Sequence, residues 1–276
     1  MNNDRQQIHR QITSILDQGA EAVKQVVDAY IANRTPERDM NWLCLQMAKE
    51  FGAIIIHTDN AREAIRAGTD GRDMDEFFET IKEEVAHYQA YHNLLDRTIG
   101  KHTKIPVPDI YQYLVTKVEN GKLARDEPMI AMESRWPEHH KYMACAAPYV
   151  KTQHPWVAKV FAATMEGGAG GWHWCMSQVP QSDDFLTQVA KLQKGIAIDE
   201  LEHGPEELSN LCNEYADEFG VDLNELYMHL REHRYQEVRQ RNEQFLHPLT
   251  EVQLEAIHKQ LRGGTLKGFD LYSKAA

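Results

Sequence analysis

Apolar side chains recur at helical spacing through most of this chain, and no alternating stretch of useful length reads as a strand. Ile8, Ile12, Ile15, Leu16, Ala22, Val26 and Val27 share a face and predict an amphipathic helix over about 5–32. Thr35-Pro36-Glu37 reads as the next helix start, because threonine caps exposed amides and proline suits the first helical position. That helix runs to about 66, ahead of Gly68, and turns inward Leu43, Gln46, Met47, Glu50, Ala53, Ile54, His57 and Ala61. After the turn Gly68-Thr69-Asp70-Gly71, Asp73 is expected to cap a helix over about 74–98, with Glu76 three residues on. Its inward positions are Phe77, Ile81, Glu84, His87, Tyr91 and Leu94.

Between about 99 and 154 the pattern breaks. Pro106, Pro108, Pro128, Pro137, Pro148 and Pro155 punctuate the segment, with short helical pieces such as 110–118 between them. This is too long for a tight turn and reads as a crossover between two helix hairpins. A third long helix is predicted over about 155–177, and Pro180-Gln181-Ser182-Asp183 leads into a fourth over about 183–219, before Gly220. Pro205 should kink that helix or force a bulge. Two further helices are predicted over about 222–245 and 249–261. The expectation is an all-α chain, residues 1–276 forming one domain. It has four long helices, a long crossover between the second and third, and accessory helices at both ends.

Composition narrows the partners. Forty-two acidic side chains against 30 Lys and Arg leave a net charge of −12 at pH 7, which argues against nucleic acid. No apolar run approaches the roughly 20 residues that span a bilayer, and the polar stretch from Asn2 to Arg10 does not resemble a signal peptide. Cys44, Cys145, Cys175 and Cys212 are scattered and read as free thiols, mostly buried, suited to a reducing cytosol. A cytoplasmic location is expected.

The candidate chemistry is a repeat. Glu84-Val85-Ala86-His87 and Glu200-Leu201-Glu202-His203 are both Glu-x-x-His, and Glu50 and Glu166 precede them by the same 34 residues. Positions i and i+3 share a helix face, so a carboxylate and an imidazole can address one ion, with a second carboxylate from the preceding helix. The copies extend further: Glu50, Gly52, Ala53 and His57 match, in order, Glu166, Gly168, Ala169 and His173. This is the mark of a duplicated helix hairpin. A third Glu-x-x-His, Glu255 to His258, has Val221 where the upstream carboxylate should be and is set aside.

With Glu50, Glu84, His87, Glu166, Glu200 and His203 as a ligand set, the chain resembles the ferritin-like di-iron carboxylate superfamily over about residues 36–98 and 155–219. That superfamily includes multicomponent hydroxylases, N-oxygenases, ferritins, manganese catalases and the radical subunits of ribonucleotide reductase. The resemblance implies a ferritin-like four-helix bundle holding two iron ions, with manganese or a mixed pair as the alternative. Oxygen and nitrogen donors without thiolate suit both metals. It further implies an oxidase or oxygenase that uses O2 on a small organic substrate, by hydroxylation, N-oxygenation, desaturation or cleavage. An electron donor is a further expected partner, and a homodimer is left open. The alternatives are a ferroxidase or iron store, and a manganese catalase.

Other residues are candidates around the metals. His57 and His173 follow their glutamates by seven residues, about 10 Å along a helix axis, which places them outside the ligand set. They read as core histidines with hydrogen-bond partners or, in the functional alternative, as residues of a substrate cavity. Tyr91 stands four residues after His87, the spacing of the radical tyrosine in ribonucleotide reductase small subunits, although an inward tyrosine ordinarily just packs. Glu166-Gly-Gly-Ala-Gly-Gly-Trp172 puts four glycines in one helix, each costing about 1 kcal/mol relative to alanine. Either two helices pack closely there, or Gly167 and Gly170 hollow out a substrate cavity. Arg135, Trp136, His139 and His140, in the crossover, are expected at the surface.

Overall fold

The computed structural model describes residues 3–95, 97 and 136–272, with only the backbone course at 3, 72, 73, 76 and 203. Every long element among them is a helix, and no strand occurs among the described residues. The helices are α1 (Asn3–Ala32), α2 (Pro36–Ala67), α3 (Gly71–Leu94), α4 (Pro137–Ala144), α5 (Ala147–Val150), α6 (Pro155–Ser177), α7 (Asp184–Glu214), α8 (Leu223–Gln244) and α9 (Glu251–Gly263). The chain divides into two compact units, one of residues 35–137 and one made from residues 1–34 together with 138–276. No described helix is long and apolar enough to cross a membrane. The predicted helical piece at 110–118 and Arg135 lie outside the described residues.

The 35–137 unit contains the α2–α3 hairpin. Thr35 caps α2 by accepting the Arg38 amide, Pro36 occupies the first turn, and Gly68 ends the helix in the left-handed region at φ 78°. The apolar stripe read from the sequence is buried over Leu43, Met47 and Ala61, and Glu50 sits within it at 7% exposure. Helix α3 begins earlier than expected. The Met74 amide already bonds to the Asp70 carbonyl, which puts Asp73 inside the first turn rather than at the cap.

The other unit packs α6 against α7, lays α1 on α6 and α8, and sets α9 on α8. Its apolar core joins Ile8, Ile12 and Leu16 of α1 to Val157, Val160 and Phe161 of α6, Leu208 of α7 and Leu230 of α8. Helix α7 continues through Pro205, next to Gly204, whose missing side chain lets α6 approach; a Cβ there would lie 3.4 Å from the Gly167 Cα. It ends at Glu214 rather than near 219, because Tyr215 takes an extended conformation and a short 3-10 turn, Asp217–Phe219, follows. Asp183, Asp222 and Thr250 cap α7, α8 and α9.

This unit also buries charge. Arg234 of α8 bonds to Glu237 at 2.9 Å, Arg241 approaches the same carboxylate at 3.6 Å, and the Arg241 guanidinium lies 4.0 Å from the centre of the Trp172 ring. Glu243 accepts the Glu138 and His139 amides at the start of α4, and burial raises its carboxyl to about 7 against those two bonds. Contrary to the surface placement expected for the crossover, Trp136 and His139 are buried, while His140 is exposed. After α9 the chain returns over α1: Asp17 accepts the Leu271 and Tyr272 amides, and the Tyr272 hydroxyl donates to the Gly167 carbonyl.

Candidate metal centre

Three side chains of the α2–α3 hairpin converge. Glu50, Glu84 and His87 each offer one ligand atom, and these atoms lie within 4.8 Å of one another. Among the described residues no other group of this kind occurs. The contacts form a row along the hairpin. Gln46 Nε2 donates to Glu50 Oε1 at 2.6 Å, leaving Glu50 Oε2 3.8 Å from His87 Nδ1. His87 Nδ1 is 4.0 Å from Glu84 Oε2, and Glu84 Oε1 is 3.8 Å from His57 Nε2. Glu84 and His87 are one turn apart on α3 and share its face, while Glu50 reaches them from one turn beyond Gln46 on α2.

These separations have a chemical meaning. Hydrogen bonds between nitrogen and oxygen run about 2.7–3.2 Å, so gaps of 3.8–4.0 Å are too long for direct ones. Two donors each bound about 2.1 Å from one ion stand roughly 3 Å apart at a right angle and about 4.2 Å apart when opposite. The 3.8 Å gap from His87 to Glu50 and the 4.0 Å gap from His87 to Glu84 fall inside that range. Two carboxylates and one imidazole, without sulfur, suit a first-row divalent cation such as iron or manganese. The donor set and its spacing therefore fit the implied metal. Gln46 pins the second oxygen of Glu50, as outer partners of metal-bound carboxylates commonly do.

Comparison with protein-family models, curated proteins and solved structures gives no match. The site stands on its own geometry.

His57 departs from expectation. It stands seven residues beyond Glu50 along α2, yet its Nε2 lies 3.8 Å from Glu84 Oε1 across the hairpin. Burial lowers its pKa below the ordinary imidazole value. Tyr91, one turn past His87, is fully buried, and Tyr88 packs its ring 6.0 Å from that of Phe51. Gln46 was legible only as one position of a buried stripe, and its i to i+4 relation to Glu50 was the available signal.

The second predicted set lies in the other unit. Glu166 of α6 is exposed and Glu200 of α7 is half-buried; the His203 side chain lies outside the described residues. His173 is buried, and its Nδ1 donates to Gln193 Oε1 at 2.6 Å, the hydrogen-bonded core role. The glycines of α6 face filled space. A Cβ on Gly168 would fall 1.6 Å from Arg234 Nη1, one on Gly171 2.9 Å from the Tyr272 hydroxyl, and one on Gly170 3.0 Å from Leu201. At Gly167 the neighbours are Leu16 and Tyr272. Close packing thus accounts for the glycine run, and Gly167 and Gly170 do not front an open cavity. In the third Glu-x-x-His, His258 Nε2 lies 2.8 Å from a carboxylate oxygen of Glu232, outside the motif, with its ring stacked on Tyr235.

Proposed function

We propose that this chain is an O2-activating di-iron oxidase or oxygenase acting on a small organic substrate, of the ferritin-like kind. In that pattern α2, α3, α6 and α7 are the four ligand-bearing helices. The observation that carries the reading is the convergence of Glu50, Glu84 and His87 within 4.8 Å, at spacings suited to a shared cation. The sequence repeats that pattern in Glu166, Glu200 and His203, which we assign as further metal ligands. Iron bound by such ligands supplies the electrons that reduce O2 and the oxidising power directed at the substrate.

The protein's own part is to bind and orient. Gln46 holds Glu50 by one oxygen so that the other faces His87. The one-turn spacing of Glu84 and His87 presents a carboxylate and an imidazole together, and Tyr91 lies buried one turn further along α3. The negative charge of two carboxylates matches that of a divalent cation and favours its retention.

Metal analysis after reconstitution with iron(II) tests the reading. Glu84→Ala, and separately Glu200→Ala, should each lower the metal content sharply, whereas His258→Ala should leave it unchanged. Full metal content in Glu84→Ala would refute the centre. The loaded protein should consume O2 in proportion to its sites and need added electrons to cycle. Rapid breakdown of peroxide by the manganese form would favour a catalase instead, and uptake of hundreds of irons per chain would favour a store.

A further inference from the structure

The carboxylate of Glu84 is shared between two imidazoles. Its Oε2 faces His87 at 4.0 Å and its Oε1 faces His57 at 3.8 Å. The His57 gap equals the 3.8 Å between His87 and Glu50, and it too exceeds a hydrogen bond while matching two donors on one ion. His57 belongs to a different helix from Glu84, so the approach is made by the hairpin's pairing and not by helical spacing. Resting on the proposed metal centre, we propose that the α2–α3 hairpin offers a second cation position between Glu84 Oε1 and His57 Nε2. Glu84 bridges it to the position held by Glu50 and His87.

The cation it takes is a divalent first-row metal, because one carboxylate oxygen and one imidazole nitrogen form a mixed hard and borderline donor pair. Two protein donors leave the rest of its shell to water or to other ligands. His57 and Glu84 keep 27% and 21% side-chain exposure, so water reaches this position more readily than the Glu50 side, at 9%. A more open ion with an incomplete protein shell is where a small exogenous ligand can bind.

A rival role for His57 is to steady Glu84 by donating a hydrogen bond to it, with no contact to metal. Replacement by glutamate separates the two. It restores an oxygen donor to a cation and sets two like charges together if no cation is there, whereas glutamine restores a hydrogen-bond donor.

The test is titration of the full-length apoprotein with cobalt(II), counting bound ions and recording paramagnetic proton spectra, in which each coordinated imidazole gives its own shifted N–H signal. Relative to wild type, His57→Ala should bind one ion fewer and lose one shifted N–H signal while keeping that of His87. His57→Glu should regain the ion without the signal, and His57→Gln should regain neither. Unchanged ion count and signals in His57→Ala overturn the second position while leaving the Glu50–Glu84–His87 centre intact, as does recovery by glutamine but not by glutamate. If wild type binds no cobalt, the proposed centre falls and the second position with it. Circular dichroism of each variant separates loss of the fold from loss of a ligand.

Discussion

Replacing Gly168 by alanine sets two effects of opposite sign against each other. Alanine in a helix interior is worth about 1 kcal/mol over glycine, so propensity alone forecasts a gain. The structure forecasts a loss. The new methyl carbon would lie 1.6 Å from Arg234 Nη1 and 2.7 Å from its Cζ, so the guanidinium must move. Arg234 is 1% exposed, with Nη1 bonded to Glu237 at 2.9 Å and Nη2 2.8 Å from His233 Nδ1. Any retreat of the guanidinium strains or breaks that pair, and losing one side of a buried ion pair costs about 3–5 kcal/mol. The net expectation is a loss of about 2–4 kcal/mol. Gly195 is the matched control, since a Cβ there meets nothing within 4 Å and its position in α7 is interior. Gly195→Ala should gain up to about 1 kcal/mol. Urea unfolding followed by helical circular dichroism measures both, with an unchanged dependence on urea showing that the midpoint reports stability. If Gly168→Ala is as stable as Gly195→Ala, the glycine run faces open space and the packing account of α6 is wrong.

Two further outcomes follow from buried polar contacts. Because burial raises the Glu243 carboxyl to about 7, the folded state holds its proton more tightly than the unfolded chain, whose value is near 4.5. That contribution to stability is complete below about 4.5 and is lost as pH rises through about 7. Glu243→Gln should flatten the fall in thermal midpoint between those values, and an unaltered slope would place the titration elsewhere. Gln193→Leu removes the acceptor of His173 Nδ1 in a buried setting and should cost about 1–3 kcal/mol in urea unfolding, with metal content unchanged; a drop in bound metal at full stability would instead make His173 part of the centre.

How far the chain could be read without its structure depended on whether the decisive contacts were local. Helix α2 was legible at both ends because Thr35, Pro36 and Gly68 act within a turn of themselves. The end of α7 was not, since Tyr215 and Phe219 continue the apolar spacing after the backbone has left the helix, and their rings serve Trp156 instead. Glu50, Glu84 and His87 were found because one pair sits at i and i+3 and the spacing to Glu50 recurs in the second copy. The neighbour of His57 was not legible, for a physical reason. Its position was measured along α2, but its neighbour is chosen by which turn of α3 lies opposite. Arg234, Glu237 and Arg241 have the spacing of a solvated charged face, and Arg234 fits inside because Gly19 of α1 and Gly168 of α6 carry no side chain where it lies. His139 is buried because Glu243, over a hundred residues later, receives its amide.

The discontinuous unit has a consequence for how the chain is made. Helix α1 is synthesised early, but the partners of Ile8, Ile12 and Leu16 include Val157 and Phe161 of α6 and Leu230 of α8. At about 5–20 residues per second, the ribosome needs on the order of ten seconds or more to reach α6. During that interval α1 carries an unpartnered apolar face, while the α2–α3 hairpin has both of its helices in hand and can close by short-range contacts. The hairpin that carries Glu50, Glu84 and His87 is therefore placed to order first, and these three side chains can converge on the nascent chain before the first helix has found its seat.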